Sequence, residues 1–159
     1  MPKNFCGNFS LYRARLAELM VELSNDELKC IAEFEELTGA AVKDCVITPD
    51  AVAFIVLQGE LGKAIGKHGA NITRVRQRFG RQVLVFEDAE DISQFVRNLF
   101  GQIPVRNINV HEKIDSKTAF VSVDDTDRGT AIGRDGNRIK TCRAILMRRF
   151  NCDLRLVSN

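Results

Sequence analysis

The chain has 159 residues, of which 45% are hydrophobic and 28% charged, with a formal net charge of +2. This leaves room for one medium domain or two small ones and excludes a disordered or fibrous chain. No apolar run reaches the roughly 18 residues of a membrane helix.

Residues 1–23 stand apart from everything that follows. Arg13 and Arg15 interrupt the most apolar part of this segment, where a secretion signal needs continuity, and Leu16, Leu19, Met20 and Leu23 fit a short amphipathic helix. The five cysteines, Cys6, Cys30, Cys45, Cys142 and Cys152, are widely spaced and form no CxxC pair. That pattern argues against a zinc site or disulfide framework and for reduced thiols in a cytoplasmic protein.

A first unit is predicted over residues 24–87. Ser24 and Glu27 form a capping box, and Leu28, Ile31, Phe34 and Leu37 recur at helical spacing up to a stop at Gly39. Residues 46–48 and 52–57 read as strands around the Pro49-Asp50 turn. A short helix at 62–65 leads into a glycine loop. The next helix buries Ile72, Val75 and Phe79, ends at Gly80, and is followed by a strand at 82–86.

A second unit is predicted over residues 91–159. Asp91 caps a helix buried through Ile92, Phe95, Val96 and Leu99, and Gly101 and Pro104 stop it. Strands follow at 105–111 and 118–123, then a second glycine loop, a helix buried through Ile139, Cys142, Leu146 and Phe150, and a strand at 153–157. The order αββααβ, taken twice, is an α+β arrangement with helices covering one face of each three-stranded sheet.

The two units repeat in sequence. Gly62, Ala64, Ile65, Gly66, Gly69 and Ile72 recur at a constant offset of 67 as Gly129, Ala131, Ile132, Gly133, Gly136 and Ile139. Phe79 corresponds to Phe150 once about one helical turn is added to the second copy. Upstream, Ala53-Phe-Ile-Val56 resembles Ala119-Phe-Val-Ser122, so Phe54 and Phe120 are read as matched core residues rather than base-stacking aromatics. Similarity of this kind within one chain marks duplicated units.

Charge distribution points at the same two places. Residues 62–81 carry six basic side chains and no acid; residues 128–149 carry seven against a lone Asp135. In a nearly neutral chain, such segments are electrostatic footprints for nucleic acid. Within them sit the loops Gly66-Lys-His-Gly69 and Gly133-Arg-Asp-Gly136. Glycine allows the sharp turn and lets a phosphodiester approach the backbone, and the following helix aims free N–H groups at it. Lys63, Ile65, Lys67, His68, Asn71, Ile72 and Arg74 surround the first loop; Ile132, Arg134, Asp135, Arg138 and Ile139 surround the second. With the four loop glycines, these are the expected nucleic-acid-binding residues, and RNA-binding residues under the resemblance given below. Asp135 opposes a phosphate and weakens the second site.

Competing chemistry finds less support. His68 has no second ligand at metal spacing, so neither a metal nor a cofactor is expected. Residues 62–67 lack the Gly-Lys-Ser/Thr ending of a nucleotide phosphate loop. With no Trp and one Tyr, an RRM- or OB-type stacking platform is not expected.

The two loops resemble those of KH domains, which clamp the backbone of about four nucleotides. The helix-first, strand-last order is similar to the type II version. Together with Phe34-Glu-Glu-Leu-Thr-Gly-Ala40, Asp44-Cys-Val-Ile47 and Phe95-Val-Arg-Asn-Leu99, the pair resembles the archaeal NusA-like transcription factors. That resemblance implies a non-enzymatic, cytoplasmic single-stranded RNA binder of transcription elongation or termination. RNA polymerase and other transcription factors are its implied partners, and no membrane is among them. The alternatives are a ribosome-assembly or RNA-chaperone KH protein and a KH-based protein-interaction module.

Overall fold

A computed structural model describes residues 24–49 and 51–157 of the chain. The expected helix within residues 1–23 lies outside them. In the first unit, α1 (Asn25–Thr38), β1 (Val42–Ile47) and β2 (Ala51–Val56) precede α2 (Leu61–Ile65), a 3-10 turn, α3 (Ala70–Phe79) and β3 (Gln82–Glu87). The second unit contains α4 (Ile92–Phe100), β4 (Val105–Glu112), β5 (Lys117–Val123), α5 (Asp125–Ile132), a 3-10 turn, α6 (Asn137–Phe150) and β6 (Cys152–Val157). Each unit holds one three-stranded sheet with its middle strand paired antiparallel on one side and parallel on the other.

Local chemistry explains the element ends. The Ser24 hydroxyl accepts from the Glu27 N–H at 3.2 Å, and the Glu27 carboxylate accepts from the Ser24 N–H at 3.3 Å. This is the expected capping box, and such a cap contributes about 1 kcal/mol. Asp91 caps α4 through the Gln94 N–H. Gly39 stops α1 with φ 73°, a left-handed conformation that glycine adopts without a Cβ clash. The first strand begins at Val42, four residues before the expected start at Val46. Lys43 and Asp44 masked it, because charged residues are depleted in strands and here both are held in ion pairs.

β2 is buried along its whole length, without the alternation of a half-solvated strand. Val52, Phe54 and Val56 face the first unit's own helices, where Phe54 stacks on Phe34 with ring centroids 4.2 Å apart and meets Phe79 at 5.6 Å. Ala53 and Ile55 face the other way, into a core shared with Phe95, Val96, Leu99 and Leu146 of the second unit. One sheet thus serves two cores.

Charged side chains rivet that junction. Arg148 pairs with Glu27 at 2.8 Å and with buried Asp44 at 3.2 Å, while Arg149 pairs with Asp88 at 3.0 Å. The capping-box glutamate of α1 is therefore also a cross-unit partner. Both arginines lie on the last turn of α6, which at 14 residues is one turn longer than the 10-residue α3. The extra turn read from the sequence is the one that grips the first unit.

The strand match over Phe54 and Phe120 is corrected by the register. β2 pairs Val52 with Val83, and β5 pairs Ala119 with Leu154, so Val52, Phe54 and Val56 correspond to Ala119, Val121 and Val123. The equivalent of Phe120 is Ala53, on the opposite face from Phe54. A one-residue slip inverts every side chain of a strand. Phe120 is half-buried outside the core and meets His111 edge-on at 5.1 Å.

Candidate nucleic-acid interface

Both glycine loops adopt one backbone conformation. In the first, Gly66 has φ 77° and ψ 172°, His68 φ 57°, and Gly69 φ 73°. In the second, Gly133 has φ 80° and ψ 178°, Asp135 φ 54°, and Gly136 φ 75°. The third loop position is left-handed in both copies. His and Asp are among the few residue types besides glycine that tolerate it. Asp135 thus satisfies a backbone demand that charge reasoning did not see.

The first glycine of each loop has a second, steric reason. A Cβ at Gly66 would lie 2.7 Å from Asn71 Cγ, and one at Gly133 would lie 2.6 Å from Arg138 Cβ. Asn71 Nδ2 donates to the Lys63 carbonyl at 2.8 Å, tying α2 to α3 across the loop. Helices α3 and α6 start at Gly69 and Gly136 with no side-chain cap. Uncapped N–H groups and the positive dipole end therefore face the loops, an arrangement that suits an anion.

The expected site residues divide by environment. Lys67, His68 and Arg74 are exposed, as are Arg134 and Asp135, and none has an ion-pair or side-chain hydrogen-bond partner among the described residues. Lys63 is exposed with Glu60 3.6 Å away. Ile65 is 40% exposed, Ile132 is half-buried, and Ile72 and Ile139 lie against their own cores.

Arg138 departs from expectation. Its Nη2 donates to the Leu99 and Phe100 carbonyls at 2.9 and 3.4 Å, and its guanidinium sits 5.7 Å from the Phe86 ring centre. It satisfies the C-terminal carbonyls of α4 and joins the units rather than standing free beside the loop. Asn71, at the equivalent position, is likewise a loop brace.

A cleft of about 450 Å³ extends from the first loop toward the second unit. Leu61 and Ile65 of α2, residues 83–87 of β3, Arg76, and then Arg97, Asn98 and Arg138 line it. Arg76, Arg97, Asn98 and the β3 edge were not expected from the sequence. Only docking of α4 beside β3 brings them together, and the sole signal in the chain was the basic character of α3. In the second unit, Arg128 takes the place of Leu61 in the repeat. Its Nη1 is buried without a hydrogen-bond partner, the only such side-chain atom among the described residues.

Nothing in this surface resembles a metal centre. No group of three His, Cys, Asp or Glu residues suited to a metal occurs among the described residues. Burial pushes the Cys142 thiol up to about 11 and the Cys45 thiol higher still, so neither is a ready nucleophile.

Known proteins share this architecture. The KH domain family model matches residues 31–115, from within α1 to the turn after β4. A protein of Halococcus morrhuae named "Probable transcription termination protein NusA" is 38% identical over 135 residues, covering 85% of this chain and 96% of that one. The chain belongs to the archaeal NusA-like family of KH proteins. Other relatives carrying that name include one from Halobacterium salinarum, 36% identical and covered to 96%, and one from Methanocaldococcus jannaschii, 32% identical and covered to 70%. Over the same regions, 85% and 80% of this NusA-like chain is matched. The crystal structure of APE1850 matches with a TM-score of 0.72 and 31% identity, covering 86% of this chain and all of that one.

Proposed function

We propose that this chain is a single-stranded RNA-binding protein of transcription elongation and termination, built from two type II KH domains at residues 24–87 and 91–159. Each grips the RNA backbone through its own loop, residues 66–69 or 133–136. The relatives' names supply the transcription context, and RNA polymerase is a partner consistent with it. The role is binding in the cytoplasm, without catalysis or cofactor.

One observation carries this reading. Two loops of matching backbone angles each stand before an uncapped helix N-terminus, with unpaired cations beside them. In the first unit, apolar Leu61 and Ile65 border a cleft where unstacked bases can lie, and Arg76 and Arg97 stand along it. The cleft spans the junction of the units, which supports one continuous RNA path.

A salt titration tests the electrostatics. Affinity for a single-stranded RNA should fall with a log–log slope of about 0.7 per phosphate neutralised. Salt-independent binding, or none, would overturn the proposal. Crosslinking and sequencing of bound RNA in cells tests the context: nascent messenger RNA is expected, and enrichment of ribosomal precursors would move the protein to ribosome assembly.

A further inference from the structure

The outer faces of the two sheets have opposite fates. On the first sheet, Val46, Ala53 and Ile55 are buried under the second unit. On the second sheet, the corresponding residues are Asn109, Phe120 and Ser122, by the pairings Val46 with Ala53 and Asn109 with Phe120. Asn107, Asn109 and His111 of β4 are exposed there, and Phe120 is half-buried. A depression of about 450 Å³ opens on this face, lined chiefly by Asn109, His111, Lys113, Thr118, Phe120 and Val157.

Its chemistry narrows the occupant. No carboxylate lines the depression, and Lys113 brings a positive charge. The side chains of Asn109, His111 and Thr118 make no hydrogen bond to any described residue. The apolar part amounts to the Phe120 ring and Val157, too little for the hydrophobic centre of a protein interface. One aromatic ring, ringed by small polar groups and a cation on an open sheet, is instead what an unstacked nucleobase requires.

The location agrees. In the first unit, β3 borders the loop-side cleft; β6 holds the equivalent place in the second. Phe120 pairs with Arg155 of β6, so the ring lies one strand, about 4.8 Å, in from that edge. A nucleic-acid strand leaving the second loop would cross β6 past Arg155, exposed and 3.6 Å from Asp153, to reach Phe120.

We propose that the outer face of the second sheet is an additional single-stranded RNA site, where Phe120 stacks a nucleobase beyond those held at the loops. This site rests on the RNA-binding reading and extends it. In the first unit the same route is closed, because the second unit occupies the face.

The full chain contains no tryptophan, so Phe120→Trp places a single indole reporter on this face. Its emission should be quenched by an RNA longer by about four nucleotides than one that fills both loops, and not by the shorter one. Phe120→Leu, checked for folding by circular dichroism, should bind the longer RNA roughly fivefold more weakly, as loss of one stacked base implies, and the shorter RNA unchanged. If both RNAs bind but the indole is not quenched and Phe120→Leu binds as well as the parent, the stacking site is overturned and the face is left to a protein. If the parent binds neither RNA, the RNA-binding reading itself fails.

Discussion

The two basic segments share a repeat and a loop conformation but spend their charges differently. In residues 62–81, Arg78 meets Glu33 and Lys63 lies near Glu60, both largely exposed, and Lys67, Arg74 and Arg76 remain for a ligand. In residues 128–149, four of seven cations are committed: Arg138 to α4 carbonyls, Arg143 to Asp153, Arg148 to acids of the first unit, and Arg149 to Asp88 in the connection between the units. The second copy commits to the junction and to its own unit much of the charge that the first copy leaves exposed. A count of basic residues would rank the second segment higher; exposed, uncommitted cations reverse that order, with Lys67, Arg74 and Arg76 in the first segment against Arg134 and Lys140 in the second, where Arg128 is partly buried.

The largest effect should come from breaking the junction. Arg148→Leu leaves Asp44 and Glu27 without their cation inside a buried contact, which costs about 3 kcal/mol, read by denaturant unfolding. Burial raises the Asp44 carboxyl to about 6 despite the neighbouring Arg148. The folded protein therefore binds more protons than the unfolded one between about pH 4 and 6. The contribution of Asp44 is fully present below that window and is lost as pH rises through it. Asp44→Asn should remove this fall, and Arg148→Leu should extend it to higher pH. Unfolding curves that are parallel in all three proteins would break the assignment of Arg148 to structure.

Next in size is the first loop. Lys67→Asp with His68→Asp should weaken single-stranded RNA binding by about a hundredfold at moderate salt, since repulsion replaces attraction at closest approach. Stability should barely change, because both side chains are exposed and Asp tolerates the left-handed position, as Asp135 shows.

The second loop should respond less. Arg134→Asp is expected to cost about fivefold in the same binding assay, and Asp135→Asn to gain about twofold while keeping the left-handed backbone. A loss at Arg134 equal to that at the first loop would erase the proposed asymmetry. Loss of affinity in Asp135→Asn would show that the carboxylate is used rather than merely tolerated.

Some of this was legible before any coordinates. Asp91 and the Ser24–Glu27 box announced their helices, and the constant offset from Gly62 to Ile139 announced the duplication and both loops. These features are local: a cap acts over three residues, and a glycine turn over four, so the chemistry and its pattern share the same stretch of chain. Phe120 was misread, and the partners of Arg138 and Arg148 went unseen, for the opposite reason. Whether a strand aromatic faces a core depends on a register set across β4 and β6, and one residue of slip inverts it. Whether an arginine awaits a phosphate depends on which carboxylates and carbonyls fold up beside it, here from residues as far away as Glu27. Sequence by itself determined the repeated element order and the two loops proposed to hold an anion. Tertiary packing decided which cations remain to meet it and which sheet stays open, because only docking of the second unit on the first buries one face and leaves its counterpart exposed.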